Sequence, residues 1–289
     1  GRMSHLSRAE LDAYLARVGH SADVRPDLAT LRSVHRAHLS AIPYEALDIQ
    51  LSRGISLTGT DVVAKLVTSR RGGFCYEQNA LLARALRAIG FTVTYVEGAV
   101  MRAARGDDMW RNHMPLLVDL PEGRFLADAG LGDGFLEPLP LAEGVHADGI
   151  WSHRLEFLGE GVWRCHPDPR GSVESFDFRT EAREVADFTE ACAYRAESPD
   201  SPFKRVLVVQ QPRPESKVVV RGCVLAVVTA EGRTERVLAD PESFGAALSA
   251  EFGLDLPAED VRALWTQTWP KHLEWLAEQE KQKEANAAA

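Results

Sequence analysis

The chain lacks any run of about 18 apolar residues, so no membrane-spanning helix is expected. It has only four cysteines, at 75, 165, 192 and 223, and no C-x-x-C pair. Neither a zinc site nor a disulfide framework fits that scatter in 289 residues, which points to a reduced, cytoplasmic protein. Basic residues are in deficit: the formal charge is −9, which argues against a nucleic-acid surface. An acidic chain can still own a local basic pocket for an anionic co-substrate. Internal repeats, low-complexity linkers and a signal-type apolar region are also missing. Gly1-Arg2-Met3 reads as a tag remnant before a natural start and is set aside. What remains is an ordinary globular composition, 45% apolar and 26% charged, of a length that suggests two or three domains.

The periodicity divides the chain. Residues 7 to 90 read mostly helical. SRAELDAYLARVG carries a capping box and a glycine stop. DLATLRSVHRAHLSAIP repeats apolar residues at helical spacing before Pro43, leaving His35 and His38 on its polar, solvated side. GTDVVAKLVTSRRGG predicts a short amphipathic helix, and CYEQNALLARALRAIG another, with Cys75 in or just before its first turn. From Phe91 to about residue 200, alternating runs predict an antiparallel barrel or strongly curved sheet. The last region predicts a strand over KVVVRGCVLAVVTAEG, a second over RTERVLA, two helices, and a frayed ANAAA tail.

Three features carry candidate chemistry. Cys75 follows two arginines and two glycines in RRGGFCYEQN. A free cysteine is often just a small core residue. At a helix start, though, unpaired N–H groups favour a thiolate and can hold an oxyanion. Gly72 and Gly73 would let a substrate or another backbone approach closely, and clearing space for a thioester is the job expected of them. These local features leave both readings of Cys75 open. His113 opens the apolar run HMPLLVDL, and Asp128 sits inside FLADAGLG, where a buried carboxylate needs a partner or serves as a turn cap. With a two-residue turn at Glu122-Gly123, Asp128 faces Leu117, on the same sheet face as His113 but four residues along. A longer loop or a bulge would be needed to bring them together. The glycine-rich DAGLGDG turn is a weak phosphate-binding signal, and strand turns collect glycine too.

Taken together, RRGGFCYEQN, HMPLLV and LADAGLG resemble the arylamine N-acetyltransferase family, bacterial type. His113 follows Cys75 by 38 residues and Asp128 follows His113 by 15, as the family's spacing implies. IPYEALD (with Ala46 where the family has Asn) and SPFKRVLVVQ extend the resemblance along essentially the whole chain. It implies an α+β fold: an N-terminal helical bundle (1–90) carrying Cys75, a central antiparallel β-barrel (91–204) carrying His113 and Asp128, and a C-terminal α/β lid (205–289). The Cys-His-Asp core would be of the cysteine-protease kind. It further implies ping-pong acetyl transfer from acetyl-coenzyme A, without a metal, to an arylamine, arylhydrazine or N-hydroxyarylamine. No nucleic acid or membrane partner is implied, and the state would be monomer or homodimer. Tyr44, Val100, Gly130, Leu131, Gly132 and Phe203 match the cleft region, each with plain core packing as the bland alternative. Leu131 replaces the Phe often found between the two glycines, which removes a stacking face for an arylamine. Arg71 would pair with a buried acid, and Arg70 would be solvated. Two alternatives remain: an amide synthase of the same family, closing a polyketide chain onto an aromatic amine, and a Cys-His-Asp hydrolase.

Overall fold

The computed structural model describes residues 4–289, so the tag-like Gly1-Arg2-Met3 lies outside the described residues. The first helix, Arg8–Val18, begins where Ser7 and Glu10 cap each other reciprocally and ends at left-handed Gly19. Asp27 caps the second, Leu28–Ala41. Its supposedly polar side is buried: His35 and His38 are both 0% exposed. The expected GTDVV helix starts as an α-turn over Gly59–Val62 and widens into a π-helix over Val63–Thr68. It ends at Thr68, and Arg70 just beyond is exposed with φ 53°. Cys75–Ile89 follows, stopped by Gly90 at φ 121°.

The strands are β1 (Tyr44–Glu45), β2 (Thr92–Tyr95), β3 (Gly98–Val100), β4 (Leu116–Leu120), β5 (Gly123–Ala127), β6 (Leu139–Pro140) and β7 (Gly144–Asp148). They continue with β8 (Trp151–Gly159), β9 (Val162–His166), β10 (Phe176–Arg179), β11 (Val208–Pro212), β12 (Ser216–Arg221), β13 (Val224–Thr229) and β14 (Gly232–Val237). The central region is two antiparallel sheets, β2-β4-β5-β6 and β3-β10-β9-β8-β7, rather than one closed barrel. Isolated bridges, Gly98 to His113 and Tyr95 to Arg183, join them. Pro115 stands between His113 and β4 and has no N–H to continue a ladder there.

The third sheet has the order β1-β11-β12-β13-β14. The long strand expected over KVVVRGCVLAVVTAEG is a hairpin, because Gly222 at φ 61° turns β12 back into β13. β1 comes from the N-terminal region yet pairs with β11, Tyr44 opposite Gln210, and Tyr44 also bridges Gly73. That stitch sets the Cys75 loop against the C-terminal sheet. The helices Pro241–Phe252 and Ala258–Ala288 close the chain, and the second is helical through the tail expected to fray. No helix among the described residues is long and apolar enough to cross a membrane.

Candidate active site

His113 and Asp128 flank the β4–β5 hairpin. Its turn is Pro121-Glu122, one residue earlier than expected, which pairs Leu116 with Ala127 and Leu120 with Gly123. The register moves by two residues, so the side-chain face is kept. Asp128 now falls beyond the ladder, diagonal to His113 instead of four residues from it. His113 Nε2 lies 2.5 Å from Asp128 Oδ2, with both side chains buried.

The Asp128 carboxylate is fully engaged. Its Oδ1 accepts from Asn79 Nδ2 at 2.9 Å and from the Gly130 N–H at 2.8 Å. The Asp128 N–H donates to His35 Nε2 at 3.0 Å, and His35 Nδ1 donates to the Leu136 carbonyl at 2.6 Å. His35 is therefore neutral with its proton on Nδ1. Asn79 also anchors both strands, donating to the Met114 carbonyl and accepting from the Ala129 N–H. A carboxylate can only accept, so Oδ2 takes the proton of His113 Nε2. That leaves Nδ1 of His113 as the free base.

Cys75 is the first residue of its helix and is 3% exposed. Its Sγ donates to the Asn112 carbonyl at 3.7 Å, next to His113. Burial pushes the thiol well above its ordinary range, with the Arg195 guanidinium pulling the other way. Helix position alone thus does not make a thiolate here; the proton must be drawn off by a base. Glu77 accepts from the Phe74 N–H at 3.2 Å, but Phe74 has no polar atom to return the bond, so only half a capping box forms.

The two glycines serve packing. A Cβ on Gly72 would strike Pro43 and Glu45, and one on Gly73 would sit 2.8 Å from Glu77 Cβ. The Pro43 backbone approaches Gly72 and the Glu77 side chain approaches Gly73, so neither glycine clears space for a thioester. Gly130 is the glycine that touches the nucleophile: a Cβ there would lie 2.8 Å from Cys75 Cα. Arg71 pairs bidentately with buried Glu45, at 2.9 and 3.0 Å, and reaches Asp48 at 3.2 Å. Lys65 bridges Asp48 and Glu77 at 3.0 and 2.8 Å. Glu45 also accepts from the Gly72 N–H. This network fixes the loop before Cys75 from beneath.

A cleft of about 360 Å³ is lined by Cys75 and His113 together with Tyr44, Val100, Gly130, Leu131 and Phe203. Gly132 is not on that wall; the Gln210 side chain packs where its Cβ would be. The cleft is basic despite the acidic chain. Arg105, Arg195 and Arg205 line it, and Lys217, Arg221 and Arg233 line the cavity it adjoins. No cluster of three metal-ligating side chains occurs among the described residues.

A family model described as N-acetyltransferase matches residues 27–261. The chain is 34% identical over 279 residues to the arylamine N-acetyltransferase of Mycolicibacterium smegmatis, covering 88% of this chain and 96% of that one. The chain belongs to the arylamine N-acetyltransferase family. As such it is an acyltransferase of mixed α+β fold. The solved arylamine N-acetyltransferase of Mycobacterium abscessus superposes with a TM-score of 0.80 at 33% identity, over 92% of this chain and 98% of that one. The Mycobacterium marinum arylamine N-acetyltransferase in complex with CoA superposes with a TM-score of 0.81 at 25% identity, over 89% and 99%.

Two residues of this site escaped the sequence reading. Asn79, one helical turn past Cys75, carried no expectation, yet it is 0% exposed and holds Asp128. His35 reads as solvated and instead supports the Asp128 backbone from 93 residues away. The one available signal was their position: Asn79 shares a helix face with Cys75 at i, i+4.

Proposed function

We propose that the chain acetylates arylamines, arylhydrazines or N-hydroxyarylamines in two half-reactions through acetyl-Cys75, with acetyl-coenzyme A as donor. The observation that carries this is the buried His113–Asp128 pair in one cleft with a cysteine at a helix start. His113 Nδ1 takes the thiol proton, and Cys75 Sγ attacks the thioester carbonyl. The carbon–sulfur bond to coenzyme A breaks, and His113 gives the proton to the leaving thiolate. The amine nitrogen then attacks acetyl-Cys75, the amine proton passes to His113, and the Cys75 thiolate leaves. Asp128 keeps the ring in one tautomer and balances its transient charge. The N–H groups at the helix start face the developing oxyanion.

The co-substrate fits the residues present. Coenzyme A carries phosphates; Arg221 and Arg233 stand along the adjoining cavity, and Arg205 lines the Cys75 cleft itself. The named CoA complex of the M. marinum relative supports the same donor. Four free cysteines, one of them the nucleophile, suit the reducing cytoplasm.

The test is acetyl-coenzyme A with an arylamine such as an anisidine, following free thiol. Cys75→Ala should leave the fold intact and abolish release. A well-folded Cys75→Ala protein that keeps full transfer overturns the reading. Steady thiol release by the native chain with no amine present would instead mark a hydrolase.

A further inference from the structure

Gln210 and Gln211 are neighbours on β11 with opposite circumstances. Gln211 turns towards the helix Leu28–Ala41 and donates to the Leu39 and Ser40 carbonyls. Gln210 turns to the other face, lines both the Cys75 cleft and the adjoining basic cavity, and is 6% exposed. Its Oε1 is buried with no hydrogen-bond partner. An unsatisfied buried amide oxygen is costly and rare in a folded protein, so water or a ligand must complete it.

Its position is held by two backbone contacts. Tyr44 pairs with Gln210 on one side and bridges Gly73 on the other, so Gln210 is two strand spacings, about 10 Å, from the Cys75 loop. Gly132 gives up its Cβ to the Gln210 amide, while Gly130 packs on Cys75. Those glycines are two residues apart, a span of at most about 7 Å. The Gly130–Gly132 loop therefore measures the distance from the nucleophile to this amide.

We infer that Gln210 is a donor-specificity residue whose side-chain amide pairs with the first secondary amide of the acyl donor's pantetheine arm. The inference rests on the proposed acetyl-coenzyme A donor. A thioester placed on Cys75 sets its first arm amide an ethylene spacer beyond the sulfur, which matches the short reach just described. A secondary amide is also the chemistry that suits a primary amide in both senses: its N–H donates to Oε1 and its carbonyl accepts from Nε2. The charged groups of the adjoining cavity, Arg221 and Arg233, are then left to the phosphates.

The experiment measures kcat/KM for thiol release with three donors: acetyl-coenzyme A, S-acetyl-N-acetylcysteamine, which keeps that one amide, and S-propyl thioacetate, which has none. In the native chain the one-amide donor should exceed the amide-free donor by about tenfold, the worth of one buried hydrogen bond. Gln210→Met, nearly isosteric, should collapse that ratio towards one and lower kcat/KM for acetyl-coenzyme A by a similar factor. Equal values for the two small donors in the native chain overturn the inference whatever the variant does, so a variant that does not fold cannot rescue it. A ratio unchanged in folded Gln210→Met also overturns it. Either failure leaves transfer through Cys75 standing; loss of that reading shows only in Cys75→Ala.

Discussion

His113 and Asp128 meet at 2.5 Å although neither lies within a strand. Each is just past the end of the β4–β5 ladder, and the Pro121-Glu122 turn alone decides that they face each other. Had the turn fallen one residue later, at Glu122-Gly123, four residues would separate them. A side-chain relationship central to the chemistry is thus set by a loop on the far end of the hairpin.

Asp128→Asn should cut acetyl transfer by roughly two to four orders of magnitude with the fold retained. An Asn oxygen would still accept from Asn79 and Gly130, so its NH₂ would face His113 Nε2. That forces the proton onto Nδ1 and removes the base. Single-turnover thiol release, with circular dichroism as the folding check, measures it. A loss under threefold contradicts the assigned tautomer.

Arg71→Ala should cost about 3–5 kcal/mol, because it leaves the wholly buried Glu45 carboxylate without its cation. Urea unfolding gives the value. A cost below about 1 kcal/mol would place the ion pair outside the structural core.

Gly130→Ala should lower transfer more than stability. The added methyl meets the Cys75 backbone and Cβ at 2.8 and 2.9 Å, with Asn79 behind it at 3.1 Å. Overpacking of this kind costs about 1–3 kcal/mol, while displacement of the nucleophile should cost at least tenfold in rate. Thermal melting and initial rates on the same sample separate the two.

Acid should destabilise the fold earlier than carboxylates alone would require. Burial lowers His38 from 6.5 to about 3 and His153 to about 4, and it lowers His35 as well. A group whose folded value is depressed binds more protons when unfolded, so stability falls as pH drops from 6.5 towards the folded values. The melting temperature should therefore decline already between pH 6.5 and 5. His38→Gln should flatten that decline; an unchanged slope would remove His38 from the account. His38 accepts from Tyr14 and donates to Gln78, which holds the Pro43 and Gly73 carbonyls, so the titration reaches the Cys75 loop.

The three candidate residues and the order of helices and sheets were legible because they depend on local pattern. Cys75 at a helix start, His113 before an apolar strand and Asp128 after one are all visible along the chain. Register was not legible, because turns at Pro121-Glu122 and Glu122-Gly123 differ only in which two residues leave the ladder. Nor was the burial of His35 and His38, whose partners Asp128, Leu136 and Gln78 are remote in sequence. The expected buried acid for Arg71 is Glu45, which lies 26 residues upstream and is not marked by the local pattern. Gly72 and Gly73 are read as room for a substrate or another backbone; the structure gives them to the Pro43 backbone and to the Glu45 and Glu77 side chains.

The most direct test of the central claim is mass spectrometry of the tryptic peptide 72–84 after mixing with acetyl-coenzyme A in the absence of amine. Cys75 is the only cysteine in it. The account predicts one acetyl group on that peptide, carried by Cys75 and lost on adding an arylamine with the matching amide formed. An unmodified peptide, with acetylated amine still produced when the arylamine is added, would contradict it.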